Sequence, residues 1–81
     1  MVVVAYDITD EKRLQKVARY MEQHGVRVQK SVFELDMEFR EAKQIVKGAL
    51  KLIDKERDKI FIFQVKEKED LQGDTSISRI I

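Results

Sequence analysis

Residues 2–13 read VVVAYDITDEKR, and this stretch decides the fold. Small β-branched residues and a tyrosine predict a buried strand that ends at Asp7. Thr9 then predicts a helix cap, because its hydroxyl can accept a backbone N–H of the first helical turn. Helix capping does not explain the presence of Asp7. A carboxylate placed directly after an apolar strand costs free energy unless it is compensated, so Asp7 is the residue that needs a role.

The composition limits the classes of protein that fit. The chain has 81 residues and no cysteine, which predicts one domain over residues 1–81 without disulfides or a thiolate metal site. His24 is the only histidine, so a zinc cluster is excluded, and its place near a helix end predicts a capping or surface role. No stretch approaches the roughly 20 apolar residues of a membrane span. We therefore expect a cytoplasmic protein with no membrane partner.

A helix and two short strands are predicted after the first strand. The helix extends from Asp10 to His24, because apolar residues recur there at helical spacing and Gly25 suits a left-handed C-terminal position. Residues 26–35 predict two strands, since the alternation of their apolar residues changes parity. A tight turn or bulge near residues 29–31 accounts for that change.

A second helix, a further strand and an extension complete the pattern. The helix is predicted from a cap at Asp36 to about Ile53, and residues 59–66 (KIFIFQVK) predict a strand that is apolar on both faces. This order is the ferredoxin-like βαββαβ fold of the α+β class, with residues 66–81 as a C-terminal extension that ends in a short strand or tail. Two helices cover only one face of such a sheet. We therefore predict a homodimer packed through the sheet faces.

The predicted homodimer gives Asp7 a chemical role. Two-fold symmetry brings the Asp7 of each chain to a shared cleft, where two close carboxylates repel unless a proton or a cation neutralises them. Mg²⁺ suits this arrangement, because it uses one or two protein carboxylates and accepts phosphate oxygens. It could polarise a phosphodiester and supply a nucleophilic water. The alternative is that Asp7 only accepts hydrogen bonds from the amides of Thr9 and Asp10.

Positive charge is concentrated in residues 11–30, which hold six lysines and arginines against two glutamates. Part of this charge predicts a phosphate-binding stripe on the helix. The stripe consists of Lys12, Lys16 and Arg19, which are spaced by about one helical turn, with Arg13 beside them. A solvated helix face is the alternative. The second helix is predicted to be solvated, because its lysines are interspersed with acids. The two-fold axis of the predicted homodimer repeats each basic patch. This symmetry favours duplex nucleic acid over single-stranded nucleic acid as the partner.

Two segments of the chain resemble a known family. YDITDEKR at residues 6–13 and GVRVQKSVFEL at residues 25–35, separated by one helix, resemble the CRISPR-associated protein two family, and the resemblance extends over essentially the whole chain. It implies a ferredoxin-like homodimer in which Asp7 is the magnesium-binding catalytic aspartate and in which Arg13 and Arg27 contact nucleic acid. Many members have consecutive arginines after the Asp-x-x-Asp segment. Here Leu14 follows Arg13, which weakens the expected phosphate binding on this edge.

The resemblance also implies a function. Its members take part in CRISPR adaptation, in which the dimer binds duplex DNA and bridges the CRISPR integrase. Some resemble magnesium-dependent endonucleases that act on single-stranded RNA or duplex DNA, which implies phosphodiester cleavage at Asp7. TSISRII at residues 75–81 resembles the last strand of the family, which adds to the sheet of the partner subunit and contacts the integrase. The alternative is a toxin-like messenger-RNA interferase resembling virulence-associated protein D, which shares the fold and the early aspartate.

Overall fold

A computed structural model describes residues 1–65 of the chain. It contains β1 (Val2–Asp7), α1 (Glu11–Glu22), β2 (Val26–Gln29), β3 (Val32–Leu35), α2 (Phe39–Leu50) and β4 (Lys59–Gln64). The four strands form one sheet in the order β2-β3-β1-β4, and each neighbouring pair is antiparallel. The predicted α+β class and ferredoxin-like βαββαβ order are therefore confirmed. The extension predicted for residues 66–81 lies outside the described residues.

Strand β1 lies at the centre of the sheet and is buried on both faces. Val4 and Tyr6 pack into the main core, which the two helices cover. On the opposite face, Val3 and Ala5 belong to a smaller apolar cluster. Phe61 of β4 is 44% exposed. The homodimer predicted from the apolar second face stays a prediction, because the structure describes a single chain.

Helix α1 starts and ends differently from the prediction. Its N-cap is Asp10, whose Oδ2 accepts the Arg13 backbone N–H at 3.0 Å, so the predicted cap at Thr9 is wrong. Gly25 does not adopt a left-handed backbone conformation. A Cβ at Gly25 would lie 2.5 Å from the carbonyl oxygen of Glu34. Glycine is therefore required here by the close approach of β3 and not by a helix C-cap.

Helix α2 is shorter than predicted. It starts after Glu38 instead of Asp36, and the Glu41 carboxylate accepts the Glu38 backbone N–H at 3.3 Å. Its last residue is Leu50, where the sequence pattern predicted about Ile53. Within residues 1–65, neither helix is long and apolar enough to cross a membrane.

The hairpin between β2 and β3 explains the change of parity in residues 26–35. Arg27 pairs with Phe33 and Gln29 pairs with Val32, which leaves one extra residue on β2. The predicted bulge is therefore confirmed, and it allows the large apolar residues of β3 to face the core while all four residues of β2 are exposed.

Candidate functional site

Asp7 is the last residue of β1 and is exposed to solvent. It continues the alternation of Val3 and Ala5, so it lies on the face of the sheet that has no helices. Its partner in the β1–β4 pair is Lys59. Because the side chain is exposed, the burial cost expected from the sequence does not arise. A second chain packed on this face would bring a second Asp7 toward the same edge.

The buried carboxylate at this end of the sheet is Asp58, which directly precedes β4. Its side chain is 0% exposed. Its Oδ1 accepts the Thr9 backbone N–H at 3.0 Å and the Thr9 hydroxyl at 3.2 Å. Its Oδ2 accepts the Arg13 Nε–H at 2.8 Å and the Asp54 backbone N–H at 2.9 Å. These hydrogen bonds fasten the α2–β4 loop to the segment that follows β1.

The charges of this cluster stabilise each other. The hydrogen bond from Arg13, with smaller contributions from the Asp54 and Thr9 donors, holds the pKa of Asp58 well below its usual range against the opposing effect of burial. The same hydrogen bond to Asp58 raises the pKa of Arg13. Both groups are therefore charged at neutral pH. Asp58 therefore has a structural role as the ion-pair partner of Arg13. Its hydrogen-bond donors all stabilise the ionised carboxylate, and none favours the protonated acid.

Sequence reasoning missed Asp58, although a signal was present. Asp58 stands directly before an apolar strand, as Asp7 stands directly after one, but the sequence pattern was not used to assign it a role. The cluster also corrects the alternative role of Asp7. The Thr9 amide was expected to donate to Asp7, but it donates to Asp58.

Four of the five side chains predicted to bind nucleic acid lie in different surroundings. Arg13 is 28% exposed and belongs to the cluster around the buried carboxylate. The Nε and Nη2 atoms of Arg27 donate to the Lys30 carbonyl at 3.1 and 2.7 Å, which orders the β2–β3 turn. Lys16 and Arg19 are exposed on α1. Arg13 and Arg27 thus have structural contacts in addition to their predicted role.

Two of these side chains share a groove. Arg19 and Arg27, together with Lys30, line a groove of about 300 Å³ between α1 and the β2–β3 hairpin. Glu22 also lines it, and its carboxylate lies 3.4 Å from Arg27 Nη1. The structure therefore brings Arg19 and Arg27 together. Arg13 lies apart from them, in the cluster around Asp58 at the end of the sheet. Part of the positive charge of the groove is compensated by Glu22.

The predicted magnesium site fits the placement of Asp7. Among residues 1–65, no three histidine, cysteine, aspartate or glutamate side chains form a cluster able to hold a metal ion. Within this part of the chain, an ion at Asp7 would thus meet at most two such side chains from one chain. Mg²⁺ commonly takes one or two carboxylates and completes its shell with water and phosphate oxygens. An exposed Asp7 on the helix-free face suits such a site, in which a partner chain would supply the second carboxylate.

Comparisons with known proteins identify the family. The chain matches the family model described as CRISPR associated protein Cas2 over residues 1–72. It is 34% identical over 65 residues to the CRISPR-associated endoribonuclease Cas2 1 of Thermodesulfovibrio yellowstonii, covering 80% of this chain and 71% of the relative. It is also 34% identical over 73 residues to the CRISPR-associated endonuclease Cas2 2 of Thermus thermophilus, covering 90% and 81% of the two chains.

Solved structures agree with this assignment. The crystal structure of Streptococcus pyogenes Cas2 at pH 6.5 matches with a TM-score of 0.73 and 32% identity, covering 90% of this chain and 92% of that one. A hypothetical protein from Thermus thermophilus matches with a TM-score of 0.74 and 36% identity, covering 82% and 80%. These matches favour the CRISPR prediction over the toxin-like alternative. The chain belongs to the CRISPR associated protein Cas2 family.

Proposed function

We propose that this chain is a CRISPR adaptation protein of the cytoplasm that acts as a homodimer, binds nucleic acid and bridges the CRISPR integrase. We further propose that it cleaves phosphodiester bonds of RNA or duplex DNA at paired Asp7 residues. The names of the relatives, endoribonuclease and endonuclease, support cleavage. The observation that carries the proposal is the placement of Asp7, an exposed carboxylate at the edge of the helix-free face.

The mechanism assigns separate tasks to the residues around this edge. Asp7 of each chain would hold Mg²⁺, which supplies polarisation of the phosphodiester and a nucleophilic water. The pairing with Lys59 fixes Asp7 on one side. The hydrogen bonds from Thr9 to Asp58 fix the segment on the other side. The Arg13 side chain is 28% exposed, so the N–H groups of its Nη1 atom can donate to a phosphate while Nε and Nη2 stay on the buried carboxylate.

Nucleic acid and the integrase would contact other parts of the chain. Lys16 and Arg19 on the exposed side of α1 suit phosphate contacts that depend on charge and not on base sequence. Arg27 would contribute from the neighbouring groove. For the integrase contact we propose residues 75–81, on the basis of the family resemblance alone.

Cleavage assays with Asp7→Asn test the catalytic part of the proposal. Purified protein is incubated with labelled single-stranded RNA and duplex DNA, with and without Mg²⁺. We expect the variant to lose at least ~100-fold in magnesium-dependent cleavage, because the ion loses its protein ligand. Asp36→Asn is the matched control, since Asp36 is also an exposed aspartate and lies outside the site. Wild-type cleavage by Asp7→Asn would contradict the assignment.

The same variant separates cleavage from the bridging role. If the dimer acts as a bridge, Asp7→Asn supports spacer acquisition with the integrase at the wild-type level even though it no longer cleaves. Loss of both activities would instead make cleavage part of the adaptation reaction.

A further inference from the structure

We propose that the outer face of α2 binds the phosphate backbone of duplex nucleic acid, as a contact surface separate from the Asp7 edge. The inference rests on the nucleic-acid binding in the proposed function and is independent of cleavage. The surface is a row of four cations, here called the α2 stripe: Arg40, Lys43 and Lys47 within the helix and Lys51 at its C-cap.

The α2 stripe is a continuous line of charge. At 3.6 residues per turn, its four members lie within a sector of about 80°, opposite the buried side of the helix formed by Ala42, Val46 and Ala49. All four are exposed. The first and last members, Arg40 and Lys51, are 11 residues apart, which corresponds to about 16 Å along the helix axis. The stripe therefore presents cations at every turn of α2 and faces away from the core.

The acids of this segment do not neutralise the stripe. The sequence predicted a solvated face because acids are interspersed with the lysines, but Glu41 is the only exposed acid within α2. Its carboxylate accepts the Glu38 backbone N–H at 3.3 Å, at the start of the helix. Among residues 1–65, every ion pair involves Arg13 or Arg27. The cations of the stripe thus have no ion-pair partner within this part of the chain.

The chemistry of the stripe favours nucleic acid over a protein partner. Each DNA strand has one phosphate per 3.4 Å of helix axis, so a 16 Å row of cations spans roughly five phosphates. Protein interfaces are instead depleted in lysine and depend on aromatic or apolar anchors. The exposed large hydrophobic residues within residues 1–65 are Val26, Val28 and Phe61, and none of them lies on α2.

The stripe also lies on the opposite side of the sheet from Asp7. Helices α1 and α2 pack side by side on the main core, and the Tyr20 hydroxyl of α1 donates to the Ile45 carbonyl of α2 at 2.7 Å. Asp7 is on the other face. A duplex held on the helix side is therefore separated by the sheet from the proposed cleavage site. Binding and cleavage are then separable properties of the chain.

The salt dependence of DNA binding tests this proposal. Affinity for a labelled 30-base-pair duplex of mixed sequence is measured between about 50 and 200 mM salt. The test variant is Lys43→Gln/Lys47→Gln, which keeps residues that favour helices. The matched control is Lys55→Gln/Arg57→Gln, which removes the same charge from exposed positions in the α2–β4 loop. Circular dichroism verifies that both variants are folded.

We expect the stripe variant to lower the slope of log affinity against log salt by about 1.8, or 0.9 for each lost phosphate contact. Across that salt range, its affinity would then change roughly tenfold less than that of the wild type. The loop control should retain a slope close to the wild-type value. Equal slopes for all three proteins, or equal losses in both variants, would overturn the proposal and leave Asp7 cleavage unaffected. The proposal would also be overturned if the stripe variant kept the wild-type DNA slope but lost binding to an acidic protein, because the stripe would then bind a protein and not DNA.

Discussion

Asp7 and Asp58 are two aspartates at the same end of the sheet, and their surroundings are opposite. Asp7 ends β1, Asp58 directly precedes β4, and the strand pair places Asp7 across from Lys59. Asp58 is buried and accepts five hydrogen bonds. Asp7 is exposed. The fold thus uses the charge of one carboxylate for its own stability and leaves the other accessible to ions and ligands.

The sharpest test of this comparison is Asp58→Asn. An amide has one carbonyl oxygen, so it cannot accept all the donors that meet the carboxylate, and the Arg13 guanidinium loses its buried counter-charge. We expect the melting temperature to fall by at least ~10 °C. Thermal unfolding followed by circular dichroism measures the change.

Asp36→Asn serves as the control for this measurement, because Asp36 is exposed. It should leave the melting temperature close to that of the wild type. If Asp58→Asn had the same melting temperature as the control, the buried ion pair would contribute nothing to the stability of the fold. The distinction between the two aspartates would then not hold.

Acid unfolding gives a second, smaller effect at Asp58. The folded-state pKa of Asp58 lies below its unfolded value of about 3.9, so ionisation stabilises the fold above that pH. This stabilisation is lost as the pH falls below about 4 toward the lower folded-state pKa. The wild type should therefore lose stability more steeply than Asp58→Asn in this range. Urea unfolding at a series of pH values between about 6 and 2.5 measures the gap between the two proteins, and a constant gap would contradict this explanation.

The elements that the sequence predicted well are those set by local pattern. The apolar run of residues 2–6 predicts a strand because both faces are filled with β-branched or aromatic side chains. The parity change in residues 26–35 predicts the hairpin bulge for an equally local reason. Asp7 was chosen as a candidate because it directly follows the first of these patterns.

The hydrogen-bond partners of Asp58 could not be predicted in this way. Its principal partner, Arg13, is 45 residues away in the chain, and only the β1–β4 pairing brings them together. The same tertiary contact explains the wrong cap. Thr9 is a good capping residue by type, but its hydroxyl and amide donate to Asp58, so Asp10 caps α1 instead. A local pattern cannot rank two suitable caps when a distant carboxylate binds one of them.

Asp7→Asn should have the smallest effect on stability, although we expect it to have a large effect on cleavage. The side chain is exposed, so its substitution without Mg²⁺ should change the free energy of unfolding by no more than about 0.5 kcal/mol. The corresponding shift in melting temperature is under about 4 °C. Thermal unfolding in a chelating buffer measures this shift beside Asp58→Asn. A large loss of stability would mean that Asp7 has a structural role like that of Asp58, and loss of cleavage in the variant would then no longer identify a metal ligand.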